Sequence, residues 1–116
     1  MQRVLLVDND DSLRRALARM LQRAGFEVQA FGSAEALLEA GAARADACLV
    51  LDVDLPGASG IELKKALDQA GCVRPTVFIT ASARDGLAGQ LASSSTVAVL
   101  HKPFSAELGN LTPIIV

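Results

Sequence analysis

Four residues of the sequence have side chains that could accept and hold a phosphoryl group. Each follows a short apolar run: Asp8, Asp52, Thr80 and Lys102. Neighbouring carboxylates repel one another and attract a divalent cation, and a site with oxygen ligands alone suits Mg²⁺. A lysine and a threonine hydroxyl can bind phosphoryl oxygens, and a carboxylate beside Mg²⁺ can attack phosphorus. We therefore predict that Asp52 is a nucleophile that forms an aspartyl phosphate.

The apolar runs before these residues predict strands that would bring the four side chains together. Ala47–Leu51 carries no charge and is soon followed by a Pro-Gly turn, which is typical of a strand buried on both faces. Five strands alternate with helical segments, a pattern that predicts a parallel sheet with helices on both faces. The carboxyl ends of parallel strands share one edge of the sheet. That edge is expected to hold the four residues together with Asn9 and Asp54.

Capping residues and an apolar stripe define the first helix. Either Asp10 or Asp11 can cap its start, and Gly25 can end it. Five apolar residues recur at the three- and four-residue spacing of a helix: Leu13, Ala16, Leu17, Met20 and Leu21. Four arginines lie off this stripe, on a face that we expect to be solvated: Arg14, Arg15, Arg19 and Arg23.

The later helical segments are shorter or weaker. Ser33 can cap a short second helix, and Ser59 opens a capping box at the start of the third. Residues 82–95 contain glycines and serines, which cost up to about 1 kcal/mol each relative to alanine within a helix. We expect a frayed helix there and a short last helix that begins at Ser105. Residues 109–116 are expected to be a tail or the cut end of a longer protein.

Composition narrows the class of protein. The chain has 116 residues and a net charge of −2, so we expect one domain over residues 1–116 and no direct contact with nucleic acid. No apolar run approaches the roughly 18 residues of a membrane helix, and no membrane association is expected. Cys48 and Cys72 lie in different predicted settings, and two free thiols are typical of a cytosolic protein. We therefore expect a cytoplasmic location.

Four motifs in this order resemble those of the receiver domain of two-component response regulators. They are Val7-Asp8-Asn9-Asp10, Leu51-Asp52-Val53-Asp54-Leu55-Pro56-Gly57-Ala58-Ser59-Gly60, Phe78-Ile79-Thr80-Ala81 and Lys102-Pro103-Phe104. The resemblance extends from Val4 to about Leu108, and it is greatest to receivers of nitrogen-fixation regulators that carry a separate DNA-binding domain. It implies a flavodoxin-like, doubly wound five-stranded parallel sheet with the strand order 2-1-3-4-5.

The resemblance also implies roles for individual residues. A sensor histidine kinase or a histidine phosphotransferase would transfer a phosphoryl group to Asp52, and Thr80 and Lys102 would contact that group. Four residues would hold Mg²⁺, the last through its backbone carbonyl: Asp8, Asn9, Asp52 and Asp54. The domain would not be an enzyme beyond its own phosphorylation and dephosphorylation. Phosphorylation would switch partner binding, and the fifth strand and last helices would offer a surface for a homodimer.

Three departures from the family leave other functions open. Ser94-Ser95 replaces the usual Ala-Gly before the fifth strand. Asn9 stands where the family usually has a second acid that binds the metal, and Val99 stands where many members have a Tyr or Phe that turns inward on activation. A pseudo-receiver, an interaction module of the same fold that works without phosphate, is the first alternative. A phosphohydrolase is a remote one, because Asp52-Val53-Asp54 resembles the Asp-x-Asp of haloacid-dehalogenase-type phosphatases, although Leu55-Pro56 replaces their Gly-Thr.

Overall fold

Strands and helices alternate along most of the chain. The computed structural model describes residues 2–41, 47–55, 57, 59–80 and 96–101, the last segment through its backbone and the side chain of Val99. In chain order the elements are β1 (Arg3–Val7), α1 (Asp11–Arg23), β2 (Glu27–Phe31), α2 (Ala34–Glu39), β3 (Cys48–Asp52), α3 (Gly60–Gln69), β4 (Thr76–Thr80) and β5 (Thr96–His101).

The five strands form one parallel sheet in the order β2-β1-β3-β4-β5. This order confirms the flavodoxin-like arrangement expected from the sequence. β1 and β3 pair through Val7 and Leu51, and β3 pairs with β4 through Asp52 and Ile79. β1, which is followed directly by Asp8, and β3, which ends in Asp52, are therefore neighbours in the sheet.

Helices cover both faces of this sheet. Successive residues of a strand point to opposite faces. Leu5 of β1 packs in one cluster with Leu37 of α2 and Leu63 of α3, whereas the next residue, Leu6, packs in a second cluster with Leu17 of α1. Burial on both faces explains why β3 and β4 are buried at every position, while β2 at the sheet edge is only partly buried.

Side-chain caps begin the three described helices at the predicted residues. Asp10, Ser33 and Ser59 each accept a hydrogen bond at 3.1 Å from the backbone N–H three residues later. A cap of this kind typically stabilises a helix by about 1 kcal/mol. Asp10 rather than Asp11 is thus the cap of α1. Of the apolar stripe on α1, Leu17 and Leu21 are buried, whereas Met20 is 37% exposed.

Several predictions concern segments outside the described residues. These are the frayed helix over residues 82–95, the last helix from Ser105, the tail over residues 109–116, and Lys102. They stay predictions. Of the three helices described, none is long and apolar enough to cross a membrane.

The two cysteines lie on opposite faces of the sheet. Cys48 is buried in the cluster on the α1 face, and Cys72 packs against the cluster on the α2 and α3 face. Neither cysteine forms a disulfide bond.

Candidate functional site

Asp8 and Asp52 occupy adjacent strand ends at the carboxyl edge of the sheet. Val7 and Leu51 are partners in the parallel register of β1 and β3, and each acid directly follows one of them in the chain. Asp8 is 0% exposed and Asp52 is 1% exposed. Burying a carboxylate removes its hydration, so such a group needs hydrogen bonds or a cation. Two of them at adjacent strand ends favour a positively charged ligand at this edge.

Hydrogen bonds from both its backbone and its carboxylate hold Asp8 in place. Its N–H donates to the carbonyl oxygen of Phe31 at 3.1 Å, which joins the end of β1 to the end of β2. Its carboxylate Oδ1 accepts from the N–H of Asp10 at 2.8 Å, and its carbonyl oxygen accepts from Nη1 of Arg14 at 2.8 Å. These hydrogen bonds therefore hold the start of the acidic loop, which we define as residues 8–11.

The backbone around Asp52 is held in a similar way. Its Oδ1 accepts a hydrogen bond from the N–H of Asp54 at 2.9 Å, the same two-residue turn that Asp8 makes with Asp10. The next residue, Val53, donates its N–H to the carbonyl oxygen of Ile79 at 2.8 Å. Each acid thus shapes the loop that follows it while remaining anchored in the sheet.

Thr80 lies at the same edge and is linked to Asp54. Its side chain is 0% exposed, and its hydroxyl donates to Oδ2 of Asp54 at 3.3 Å, a long hydrogen bond. β4 ends at Thr80, one residue beyond the pair of Asp52 with Ile79. The structure therefore brings together four of the predicted site residues: Asp8, Asp52, Asp54 and Thr80.

Asn9 belongs to the acidic loop but is exposed. Its neighbour Asp10, also exposed, accepts the capping hydrogen bond from Leu13. The loop therefore presents a neutral amide where a second acid would raise its negative charge. Lys102, the remaining predicted residue of the site, lies outside the described part of the chain.

Sequence reasoning missed two neighbours of the site. Arg14 was expected on a solvated face, which is wrong: its side chain is 20% exposed and donates to Asp8 and to Asp11. The i,i+3 spacing of Asp11 and Arg14 was a signal for part of this contact. Gly60 packs against the backbone of Asp52, so closely that a Cβ there would lie 2.3 Å from the carbonyl oxygen of Asp52. No local pattern indicates that approach.

The fold and this edge define a class: flavodoxin-like parallel α/β proteins with a buried acidic site at the carboxyl ends of the central strands. The chain belongs to the response regulator receiver domain family, whose model matches residues 4–111. It is thus a receiver domain of two-component signal transduction, as its motifs indicated.

The chain is also similar to individual proteins, two by sequence and one by structure. Nodulation protein W of Bradyrhizobium diazoefficiens is 37% identical over 101 residues, which are 87% of this chain and 44% of that protein. The transcriptional regulatory protein FixJ of Azorhizobium caulinodans is 36% identical over 87% of this chain and 48% of its own length. The chain therefore spans about half the length of these relatives. Among solved structures, the chemotaxis protein CheY4 of Vibrio cholerae superposes with a TM-score of 0.84 at 28% identity, covering 100% of this chain and 99% of that one.

Proposed function

We propose that this domain accepts a phosphoryl group on Asp52 in a Mg²⁺-dependent reaction, from a sensor histidine kinase or a histidine phosphotransferase. The observation that carries the proposal is the buried pair Asp8 and Asp52 at adjacent strand ends. Membership in the receiver family supports it, because receivers of response regulators interact with histidine kinases. The domain catalyses nothing beyond its own phosphorylation and dephosphorylation.

The proposed transfer follows from the types of the residues. A carboxylate oxygen of Asp52 forms a bond to phosphorus while the P–N bond of the donor phosphohistidine breaks, and the leaving imidazole takes up a proton from solvent. The hydroxyl of Thr80 donates to a phosphoryl oxygen in place of Asp54. The ammonium group of Lys102 pairs with the phosphoryl group, a role that rests on the family motif alone.

The oxygen donors of the site fit Mg²⁺. Within the described ranges, no three His, Cys, Asp or Glu side chains form a group that could hold a metal. Mg²⁺ does not need three, because one or two carboxylates suffice when waters and a phosphate complete its octahedron. Asp8, Asn9, Asp52 and the backbone carbonyl of Asp54 are the proposed ligands. Bound there, Mg²⁺ would offset the negative charge of the carboxylates and the phosphoryl group.

The test uses acetyl phosphate as donor and intact-mass spectrometry as readout. With Mg²⁺, the protein should gain the mass of one phosphoryl group, and Asp52→Asn should gain none while its melting curve shows a folded protein. Glu39→Gln is the control, because it removes an exposed carboxylate at the end of α2, outside the proposed site, and should still be phosphorylated. Phosphorylation that persists in Asp52→Asn would overturn the assignment of the nucleophile.

A phosphate-independent interaction module is the second candidate function. Val99 of β5 is partly buried and packs against the cluster on the α2 and α3 face, so a residue already turned inward stands where the family often moves an aromatic side chain. No gain of mass in the wild type would favour this alternative. Continuous release of inorganic phosphate, without a stable acyl phosphate, would favour the phosphohydrolase.

Phosphorylation of Asp52 is proposed to act on other proteins through a change in binding. Phosphorylation would switch the binding of a partner, and a homodimer would use β5 and the last helices. A cytoplasmic location, the absence of direct nucleic-acid contact and the absence of a membrane partner stay predictions from composition.

A further inference from the structure

Arg14 joins three parts of the chain behind the acidic loop. Its Nη1 donates to the carbonyl oxygen of Asp8 at 2.8 Å, and its Nη2 pairs with Oδ1 of Asp11 at 2.5 Å. The guanidinium also lies beside the residue that follows β2, because a Cβ on Gly32 would be 3.5 Å from Nη1. One side chain thus bonds to the start and the end of the acidic loop and lies beside the end of the neighbouring strand.

The contact with Asp8 constrains the peptide bond that carries Asn9. The carbonyl group of Asp8 and the N–H of Asn9 belong to one planar peptide unit. Holding the carbonyl oxygen of Asp8 therefore sets the direction in which the loop leaves the strand at Asn9. The N–H of Asp8 donates to Phe31 and its carboxylate accepts from Asp10, and Arg14 adds a restraint on the carbonyl oxygen.

We propose that Arg14 is a positioning residue for the divalent-cation site, one that holds the backbone of the acidic loop without touching the ion. This inference rests on the proposed function, since it concerns the same Mg²⁺ site. Mg²⁺ demands near-ideal octahedral geometry, so ligands on a loop that is held in place bind it better than ligands on a mobile loop. Residues that orient metal ligands from behind typically change metal affinity by about 10–100-fold when they are replaced.

The hydrogen bonds of Arg14 and its positive charge should change Mg²⁺ affinity in opposite directions. Substitutions can therefore separate the two effects. A guanidinium near the site repels Mg²⁺, so removing its charge alone should strengthen Mg²⁺ binding. Removing the hydrogen bonds should weaken it. Lysine keeps the charge but lacks the planar fork that reaches two acceptors at once, and it does not replace arginine at such positions.

The experiment titrates Mg²⁺ against amide chemical shifts in the wild type, Arg14→Lys and Arg14→Gln. Arg15, exposed on the same helix, provides the matched controls Arg15→Lys and Arg15→Gln. Arg14→Lys should lower Mg²⁺ affinity by about tenfold, while Arg15→Lys leaves it unchanged. Arg14→Gln should also bind Mg²⁺ more weakly than the wild type, whereas Arg15→Gln should bind it equally well or slightly more tightly.

Two results would overturn the role of Arg14. The first is an equal Mg²⁺ affinity for Arg14→Lys and Arg15→Lys. The second is a tighter affinity for Arg14→Gln than for the wild type, which also decides the matter if Arg14→Lys fails to fold. A wild type that binds no Mg²⁺ would instead overturn the proposed function and this inference with it.

Discussion

Gly60 and Asp52 meet backbone to backbone where α3 begins. A Cβ on Gly60 would lie 2.3 Å from the carbonyl oxygen of Asp52 and 3.0 Å from its carbonyl carbon. Both atoms belong to the backbone, so neither can rotate away as the end of a flexible side chain could. The missing side chain at position 60 therefore determines how closely α3 approaches the end of β3.

Gly60→Ala should disturb both stability and phosphorylation. Overpacking of this kind costs about 1–3 kcal/mol, and relief of the clash must move the peptide of Asp52 or the start of α3. We expect a lower free energy of unfolding in urea and slower uptake of phosphate from acetyl phosphate. Gly32→Ala is the control, because its Cβ would meet Arg14 at an ordinary 3.5 Å and should change stability by less than about 0.5 kcal/mol. Similar losses in both variants would contradict a specific role for Gly60.

Asn9→Asp should strengthen Mg²⁺ binding by about 1–2 kcal/mol, the scale of one partly exposed charge interaction. The added carboxylate attracts the cation, but it repels Asp8 and Asp52 when the cation is absent. The variant should therefore melt at a lower temperature than the wild type without Mg²⁺ and regain stability as Mg²⁺ is added. Asp10 already caps α1, so we do not expect it to supply the missing charge at the metal.

Thermal melts of both proteins over a series of Mg²⁺ concentrations would measure this difference. Gln29→Glu, which adds an acid at an exposed position of β2, controls for net charge and should leave the Mg²⁺ dependence unchanged. Equal Mg²⁺ affinities for the wild type and Asn9→Asp would mean that residue 9 is not a metal ligand.

Lys64 offers a test of stability away from the site. This lysine is 5% exposed, and its ammonium donates to Oδ1 of Asp68 at 2.8 Å and to the carbonyl oxygen of Arg74 at 3.2 Å. That carbonyl oxygen also accepts from the hydroxyl of Thr76 at 2.9 Å, so it remains bonded if the lysine is replaced. Lys64→Met should change stability by less than about 1 kcal/mol, because methionine fills much of the same volume.

Asp68→Ala is to be compared with Lys64→Met, because it removes the other member of the same ion pair. It leaves the buried ammonium without its carboxylate, which should cost about 1–3 kcal/mol and therefore more than Lys64→Met. Urea unfolding of both variants at neutral pH would measure the difference. A larger loss in Lys64→Met would mean that packing of the lysine stem, and not its charge, governs this position.

The sequence by itself determined the sheet and the edge at which the acids meet. Strands buried on both faces must be apolar throughout, so β3 and β4 were recognisable as continuous runs. Parallel strands have all their carboxyl ends at one edge, so Asp8, Asp52 and Thr80 were expected to gather there without knowledge of any contact. Capping is a local interaction over three residues, and for that reason Ser33 and Ser59 were also assigned correctly.

Only the tertiary structure decided which side chains and backbones turn toward that edge. Arg14 lies off the apolar stripe of α1, yet its side chain reaches back to the carbonyl oxygen of Asp8, at the end of β1. The contact of Gly60 with Asp52 depends on how α3 is placed against the end of β3, which the Pro-Gly turn and the Ser59 cap do not specify. Such contacts depend on the relative placement of whole elements, whereas periodicity and capping report only on single elements and their ends.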